Sequence, residues 1–272
     1  MVGPAPHWNA EALRSQLAAR RPDLELEIVG ETGSTNTDLL DRLRVGPFAP
    51  CLLVAEQQTD GRGRLGRRWR TERGTSLTFS LALPITRTDW SGLSLAIGVA
   101  VADALDPSQG VHRIGLKWPN DLWLLDAPGS GRKLGGILIE TAPSAAGRVA
   151  VIGIGLNIVG RQVDSADFAS GYASLDELVT AADAPTTLAR VAGPLLDAIG
   201  RFEQAGFAAF HDRFAARDLL AGRPIRTTQA DLLDGVAEGV TDDGALCVRS
   251  ADGMLHTVTS GEVSVRMDAA AA

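Results

Sequence analysis

The apolar pattern of this 272-residue chain changes near residue 220, and this change constrains the fold more than any other feature. Before it, alternating apolar segments, typical of strands, are interspersed with segments of helical periodicity. After it, short strand-like segments are separated by turn signals at Asp234-Gly235, Asp242-Asp243-Gly244 and Asp252-Gly253, which predicts a small all-β barrel. We therefore expect an α+β domain over residues 1–219 and a β domain over residues 220–272.

The first domain combines helices and strands along its length. Helices are predicted at Trp8–Arg21, from about residue 35 to Leu43, at Leu93–Leu105 and, interrupted at Gly206, within Thr186–Phe214. Strands are predicted at Leu24–Val29, Cys51–Ala55, Thr75–Leu83, Gly115–Trp118, Leu122–Leu125, Leu134–Glu140 and Val149–Ile158, with the last two adjacent.

Composition argues against several classes of protein. The formal net charge of -7 is unlike that of a general nucleic-acid binder. The longest apolar run, around Leu93–Leu105, is too short and too polar to span a membrane. The chain begins without the basic and apolar regions of a secretory signal. Cys51 and Cys247 form no disulfide framework, and the four histidines show no metal-ligand spacing, so we expect a reduced, cytoplasmic protein.

Residues 61–70 hold five arginines and three glycines, an unusual concentration of positive charge in an acidic chain. Glycine allows a backbone to turn through positive φ and to approach a ligand closely. Arginine presents a flat set of donors that suits phosphate and carboxylate groups. The segment is therefore predicted to be a loop that binds an anion, with a solvated basic loop and a nucleic-acid-binding loop as the alternatives.

Gly61, Gly63 and Gly66 also match the dinucleotide-binding pattern G-x-G-x-x-G. A strand precedes the motif, as that fold requires, but the chain then continues past Gly74 into a second strand instead of a helix. The acidic residue expected about 20 positions later is missing from Phe79–Thr88. A phosphate-binding P-loop is also disfavoured, because no Gly-Lys-Ser/Thr follows.

The segment Lys117-Trp118-Pro119-Asn120-Asp121-Leu122 places a lysine, an amide and a carboxylate on one tight turn between strands. Asp121 is a candidate ligand for Mg²⁺ on a nucleotide, and Lys117 is a candidate for offsetting phosphate charge. The alternative is an ordinary surface Asn-Asp turn.

Three further segments carry groups suited to a ligand. Lys133 begins a strand before two glycines, which indicates either close approach of a ligand or a β-bulge with an exposed lysine. Glycines alternate in Gly153–Ile158, so one face of that strand is either the floor of a pocket or the contact line of a helix. Gly33-Ser34-Thr35-Asn36 can cap a helix, or its hydroxyls and amide can pair with a neutral polar ring such as a cyclic urea.

Taken in their order along the chain, these five segments resemble the biotin protein ligase family. The resemblance covers residue 25 to the end, including Gly261–Arg266 in the terminal domain. It implies a class II synthetase-like biotin/lipoate ligase fold, α+β with a mixed, mostly antiparallel sheet, followed by a small SH3-like β-barrel. It also implies that the chain activates biotin with ATP and Mg²⁺ as biotinyl-5′-AMP and transfers it to a lysine of a biotin carboxyl carrier domain of acyl-CoA carboxylases.

The resemblance assigns roles to individual residues. Lys133 and Arg64 are the implied catalytic residues, and Asp121 is the implied magnesium ligand. The implied biotin-binding residues are Ser34, Thr35, Asn36, Gln58, Arg62, Gly63, Arg64 and Lys133, and the implied nucleotide-binding residues are Trp69, Lys117, Asn120, Asp121, Asn157 and Arg266.

The same resemblance sets expectations about partners. About 30 residues precede Gly33, too few for the DNA-binding domain of the repressor members, so we expect a ligase that does not bind operator DNA. No membrane partner is expected either, since no apolar run is long enough to span one. A monomer or weak homodimer is expected. Lipoate ligation is the alternative activity, since that family shares the catalytic fold. The glycines and mutually repelling arginines of residues 61–70 predict a loop that becomes ordered on binding a ligand.

Overall fold

The computed structural model describes residues 8–46, 48–107, 110–127, 130–144, 147–161, 171–229, 232–259 and 266–267. Within them, five α-helices are α1 Ala10–Ala18, α2 Thr35–Val45, α3 Leu93–Leu105, α4 Ala184–Ala205 and α5 His211–Ala215. The predicted helix Trp8–Arg21 is observed as the shorter Ala10–Ala18, and its start is capped by Asn9, whose side chain accepts from the N–H of Ala12. No helix of the described part is long and apolar enough to cross a membrane.

The first domain is built on a seven-stranded sheet. Its strands are β1 Glu25–Val29, β2 Cys51–Ala55, β3 Ser76–Pro84, β4 Ile114–Lys117, β5 Asp121–Ala127, β6 Ser130–Ser144 and β7 Gly147–Asn157. They lie in the order β1-β2-β3-β7-β6-β5-β4. β1 and β2 are parallel, and the other neighbouring pairs are antiparallel. The predicted mixed, mostly antiparallel sheet and the α+β class are confirmed.

The adjacent pair β6 and β7 forms the longest hairpin in the sheet. β6 extends well beyond the predicted segment Leu134–Glu140 at both ends. The pairing runs from Gly135 opposite Leu156 to Ser144 opposite Gly147. Pro143 and Ser144 still belong to β6, where they pair with Arg148 and Gly147.

The two faces of the sheet are covered differently. One face packs against α1, α3 and α4, and apolar side chains from these helices and from most strands form the main core. The opposite face carries a small cluster in which Leu39 and Leu43 of α2 pack on Leu53, Ala82 and other short or branched side chains. Most of this second face is therefore left to polar residues and glycines, and it is the face on which the candidate site lies.

The second domain is an antiparallel sheet in the order β11-β10-β9-β8-β12. Its strands are β8 Pro224–Gln229, β9 Leu232–Val240, β10 Leu246–Arg249, β11 Leu255–Val258 and β12 Arg266–Met267. The predicted β domain is confirmed as a sheet, whereas its closure into an SH3-like barrel and the exact boundary at residues 219–220 stay predictions. The predicted frayed tail, residues 269–272, lies outside the described residues.

The two domains share core packing and hydrogen bonds. Ile225 and Leu246 belong to the main core cluster of the chain. The indole Nε1 of Trp118 donates to the carbonyl oxygen of Gly244 at 3.0 Å, and Nε2 of His211 donates to the carbonyl oxygen of Val240 at 3.0 Å. The turn that carries Trp118 is therefore held from the side of the second domain.

A buried arginine joins three elements at the far edge of the sheet. Arg217 is 4% exposed. Its guanidinium donates to Asp103 Oδ1 at 2.8 Å, to Asp106 Oδ2 at 3.0 Å and to the carbonyl oxygen of Ile114 at 2.9 Å. Although burial raises the pKa of Asp106, hydrogen bonds from Ile114 N–H and Arg217 outweigh it and lower the pKa below its usual value.

We predict that Arg217→Met lowers the free energy of unfolding by about 3–5 kcal/mol, because it leaves the Asp106 carboxylate buried without its cation. Urea denaturation measures this. Arg213→Met is the matched control, since Arg213 also pairs with Asp103 but is 42% exposed, and should cost at most about 1 kcal/mol. The lowered pKa of Asp106 means that the stabilisation is present above about pH 4 and is lost as the pH falls. Equal costs for the two variants would contradict the prediction.

Candidate active site

The floor of the candidate site is a strip of the sheet with few side chains. Ser80 of β3 is opposite Gly153 of β7, and Gly155 of β7 is opposite Gly136 of β6. Residues directly opposite each other in antiparallel strands share a face, and every second residue along a strand shares it too. Gly153, Gly155 and Gly136 therefore form one surface, and each is partly exposed.

Both interpretations of the alternating glycines apply to this strand. A Cβ on Gly153 would meet the side-chain amide of Asn36, so this glycine lies beneath the first turn of α2. A Cβ on Gly155 would lie 2.5 Å from Cε2 of Trp69, so this glycine lies beneath the indole ring. The strand contacts a helix at one glycine and floors the site at the next.

The first turn of α2 brings Thr35 and Asn36 down onto the floor. Ser34 is the N-cap, and its hydroxyl accepts from the N–H of Thr37 at 3.5 Å. Ser34, Thr35 and Asn36 are all buried. The N–H of Thr35 donates to Oε1 of Gln58 at 2.8 Å, which brings the predicted biotin-binding residues of two separate segments together.

Two residues that sequence reasoning missed lie in the same place. The hydroxyl of Ser80 donates to Oδ1 of Asn36 at 2.6 Å, and Nδ2 of Asn36 donates to Oε2 of Glu140 at 2.8 Å. Ser80 is fully buried in β3, between the apolar residues Phe79 and Leu81. The signal available in the sequence was the hydroxyl of Ser80 in a buried strand, because a buried polar group requires a hydrogen-bond partner.

The arginine–glycine segment folds back on itself as a closed loop. The N–H of Trp69 donates to the carbonyl oxygen of Gly61 at 2.8 Å, and the N–H of Gly63 donates to that of Arg67 at 2.7 Å. A Cβ on Gly61 would lie 2.5 Å from the carbonyl oxygen of Trp69, so glycine is required there. Leu65, at the tip, has a φ of 57° and is 73% exposed. Ordering of this loop on ligand binding stays a prediction.

Arg64 projects from this loop toward the turn between β4 and β5. Its Nη1 donates to Oδ1 of Asn120 at 3.4 Å. Burial lowers the pKa of Arg64, the nearby Asp121 carboxylate partly restores it, and Arg67 lowers it further. Arginine stays protonated through such shifts, so Arg64 brings a partly desolvated positive charge to the site. Arg62 instead pairs with Asp60 at 3.0 Å on an exposed part of the loop.

A β-bulge turns Lys133 toward the site. Asp121 is opposite Gly136 and Leu122 is opposite Gly135, but Trp123 is opposite Lys133, so Leu134 is the extra residue on β6. In a regular strand, Lys133 would face the same side as Ile137, four residues later, which belongs to the main core. The bulge moves it to the face of Gly136, as bulges near active sites often re-aim a side chain.

The amine of Lys133 lies at the centre of the site. Nζ is 2.7 Å from Oδ1 of Asp121 and 5.9 Å from the centroid of the Trp69 ring. The lysine is half-buried, unlike the exposed residue that the alternative interpretation expected. The backbone of Lys133 is held by Asn157, whose Nδ2 donates to the carbonyl oxygens of Lys133 at 3.3 Å and of Ala173 at 2.9 Å.

The remaining predicted nucleotide-binding residues lie around this centre. Lys117 places its Nζ 4.9 Å from the centroid of the Trp123 ring. Nδ2 of Asn120 donates to the carbonyl oxygen of Ile137 at 2.7 Å, which leaves its Oδ1 for Arg64. Arg266 lies in β12, where its backbone is opposite that of Arg226 in β8. Its side chain and residues 261–265 are outside the described part of the structure.

Comparison with known proteins agrees with this geometry. Residues 31–157 match the model of the Biotin/lipoate A/B protein ligase family, and residues 221–266 match the Biotin protein ligase C terminal domain. A biotin–[acetyl-CoA-carboxylase] ligase from Mycobacterium tuberculosis is 33% identical over 267 residues, covering 95% of this chain and 96% of the relative. The chain belongs to the biotin protein ligase family.

Other relatives support the same assignment. The bifunctional ligase/repressor BirA of Escherichia coli is 34% identical over 238 residues, covering 86% of this chain and 71% of that protein. The biotin protein ligase from Aquifex aeolicus in complex with biotin and ATP superposes with a TM-score of 0.74 at 27% identity, covering 89% of this chain and 99% of the other. The resemblance stated from the motifs is confirmed, and the individual roles of the site residues stay predictions.

We predict that Gly155→Ala impairs the site without unfolding the chain. The new methyl group must displace the Trp69 ring, and with it the loop that carries Arg64. We expect KM for ATP to rise about tenfold or more, measured by ATP–pyrophosphate exchange. Gly200→Ala in α4 is the control: nothing lies within 4 Å of its Cβ position, so exchange should be unchanged and stability raised by up to about 1 kcal/mol. Normal exchange in Gly155→Ala would contradict this account of the floor.

Proposed function

We propose that this protein joins biotin to a specific lysine of a biotin carboxyl carrier domain of a carboxylase, in two steps that use ATP. In the first step a biotin carboxylate oxygen attacks the α-phosphorus of ATP, and pyrophosphate leaves. In the second step the carrier lysine attacks the carbonyl carbon of biotinyl-5′-AMP, an amide forms, and AMP leaves. The observation that carries this proposal is the convergence of Lys133 and the arginine–glycine loop on one glycine floor.

The site suits the first step because it brings two cations to two anions. The carboxylate and the phosphate repel each other, and Lys133 and Arg64 offset that repulsion and stabilise the charge that develops in the transition state. Arg64 has been partly desolvated in advance, so its charge acts in a medium of lower dielectric than water. Neither step needs a covalent bond to the enzyme.

The two ends of the floor suit different parts of the substrates. The biotin end is lined by buried hydroxyls and amides, and we assign Ser34, Thr35, Asn36, Gln58, Arg62, Gly63, Arg64 and Lys133 to biotin. The other end carries Trp69, whose buried Nε1 has no hydrogen-bond partner among the described residues and is available to a ligand acceptor. We assign Trp69, Lys117, Asn120, Asp121, Asn157 and Arg266 to the nucleotide, with Asn157 acting through the backbone of Lys133.

Magnesium fits this site as a companion of ATP. No group of three or more His, Cys, Asp or Glu side chains in the described residues could hold a metal ion by itself. Mg²⁺ commonly binds to one or two carboxylates together with substrate phosphates, and Asp121 offers one carboxylate, now paired with Lys133. When bound, Mg²⁺ would neutralise phosphate charge, and Asp121 is the residue that would hold it.

We also propose that the second domain closes as an SH3-like barrel. Its antiparallel strand order and its match to the Biotin protein ligase C terminal domain support this. Biotin is favoured over lipoate because the hydroxyls and amides at the biotin end can pair with a ureido ring, whereas the dithiolane of lipoate offers no N–H or C=O to them. Calorimetry with each acid separates the two, and lipoate binding without biotin binding would favour the alternative.

The direct test is incubation of the protein with biotin, Mg-ATP and a biotin carboxyl carrier domain. Mass spectrometry of the carrier should show the addition of one biotinyl group. Lys133→Gln should lower the rate by about 10²–10³-fold, because the variant loses the charge at the reacting centre. An unmodified carrier, or a Lys133→Gln variant as fast as the wild type, would contradict the proposal.

Arg64→Gly should release biotinyl-5′-AMP before the carrier arrives. The variant removes the contact between the loop and Asn120, and the freed anhydride then acylates exposed lysines indiscriminately. The measurement is biotin labelling of a bystander protein such as serum albumin, with Arg68→Gly in the same loop as a control that should leave labelling confined to the carrier. Retention of the adenylate by Arg64→Gly would count against a closing role for this arginine.

A further inference from the structure

The chain is poor in amines for the positive charge that it carries. Lysine and arginine together number 26, but only Lys117 and Lys133 are lysines. A neutral lysine amine is a nucleophile, whereas the guanidinium of arginine stays protonated in proteins and has no lone pair to offer. The positive charge of the chain therefore lies almost entirely on groups that an acylating agent does not modify.

This composition bears on the intermediate of the proposed function, on which the inference rests. In the transfer step a neutral amine nitrogen attacks the carbonyl carbon of biotinyl-5′-AMP. The bond from that carbon to the phosphate oxygen breaks, AMP leaves with the bonding electrons, and the nitrogen gives up a proton to water. Any exposed lysine of the enzyme near the site would compete with the carrier lysine in this reaction.

The loop beside the site supplies exposed charge without an amine. Four arginines of the arginine–glycine segment are exposed: Arg62, Arg67, Arg68 and Arg70. The same segment brings Trp69 over Gly155 of the floor, so these four positions border the site. A lysine at any of them would bring the same charge together with an amine close to the intermediate.

Both lysines of the chain lie in the candidate site, where each contacts a group that suits a cation. Nζ of Lys133 is 2.7 Å from Oδ1 of Asp121, and Nζ of Lys117 is 4.9 Å from the centroid of the Trp123 ring. The proposed chemistry uses both as ammonium groups, in which the nitrogen carries three protons and cannot attack. The two side-chain amines are thus committed to binding charge.

The thiols and the phenol of the chain are poor nucleophiles as well. The chain has two cysteines and one tyrosine. Burial raises the pKa of the Cys51 thiol to about 11 and also raises the pKa of Cys247, so little of the reactive thiolate is present at neutral pH. The hydroxyl of Tyr172 donates to the carbonyl oxygen of Val159 at 3.2 Å, and burial raises the pKa of this tyrosine.

We propose that the near absence of lysine protects this enzyme from acylation by its own intermediate. The enzyme then holds biotinyl-5′-AMP while no carrier is present, without modifying Lys133 or the loop beside the site. In this account the exposed arginines of the loop serve in two ways, because they attract anions and are inert to the anhydride.

The first test supplies synthetic biotinyl-5′-AMP to an equimolar mixture of this protein and serum albumin, without a carrier. Peptide mapping by mass spectrometry should find biotin on albumin lysines and about tenfold or more less on the side chains of this chain. Labelling of Lys117, Lys133 or any other side chain at the rate of the albumin lysines overturns the proposal. Because the reagent is supplied, this result is independent of ATP use, and failure of the proposed function shows separately as an unmodified carrier.

The second test restores an amine at two exposed arginines. Arg68→Lys changes the loop, and Arg14→Lys is the matched control on α1, which packs on the other face of the sheet. Both keep the charge, and each should biotinylate a carrier within about twofold of the wild-type rate. With synthetic biotinyl-5′-AMP, both variants should be labelled at the new amine. An unlabelled amine in both would mean that scarcity of lysine is not what protects the chain.

The same two variants test whether the enzyme holds its intermediate. With biotin and Mg-ATP but no carrier, Arg68→Lys should label itself at position 68, because this amine borders the site. Arg14→Lys should stay at least about tenfold less labelled, because the intermediate is retained on the opposite face of the sheet. Equal labelling of the two variants, or none at position 68, overturns the proposal.

Discussion

The whole site depends on the absence of side chains along one strip of the sheet. Gly153 and Gly155 alternate on β7, and Gly136 continues the strip on β6. Because these positions lack a Cβ, the first turn of α2 and the Trp69 ring both rest directly on backbone. Two segments far apart in the chain thus meet at one surface, and the ends of that surface differ in character: hydroxyls and amides at one, charges at the other.

Charge at the second end is arranged around one carboxylate. Asp121 is 2.7 Å from Lys133 and also raises the pKa of Arg64 against the effect of burial. In this arrangement the two cations are held near each other by an anion of the protein. In the proposed reaction, the substrate phosphate and carboxylate are the anions whose charge these two cations stabilise.

Much of this was predictable from sequence, for identifiable reasons. A short apolar run located β2, apolar alternation located β3 to within one residue, and the motifs singled out Lys133, Arg64 and Thr35. The orientation of Lys133 was not predictable, because a bulge at Leu134 depends on how β5 and β6 align. The hydrogen bonds that link Glu140, Asn36, Ser80 and Thr35 were also out of reach, since these residues are separated by up to 105 positions and meet only through strand register.

The hydrogen bond from Trp118 to Gly244 has a further consequence. Trp118 lies between Lys117 and Asn120 in the chain, so a displacement of the second domain moves the turn that carries two residues we propose to contact the nucleotide. Gly244 also packs closely on Gly92: a Cβ added to Gly244 would lie 2.8 Å from the Cα of Gly92, so no larger residue fits there. The terminal sheet thus supports the turn that carries Lys117 and Asn120, and chimaeras that exchange this sheet between relatives also exchange that support.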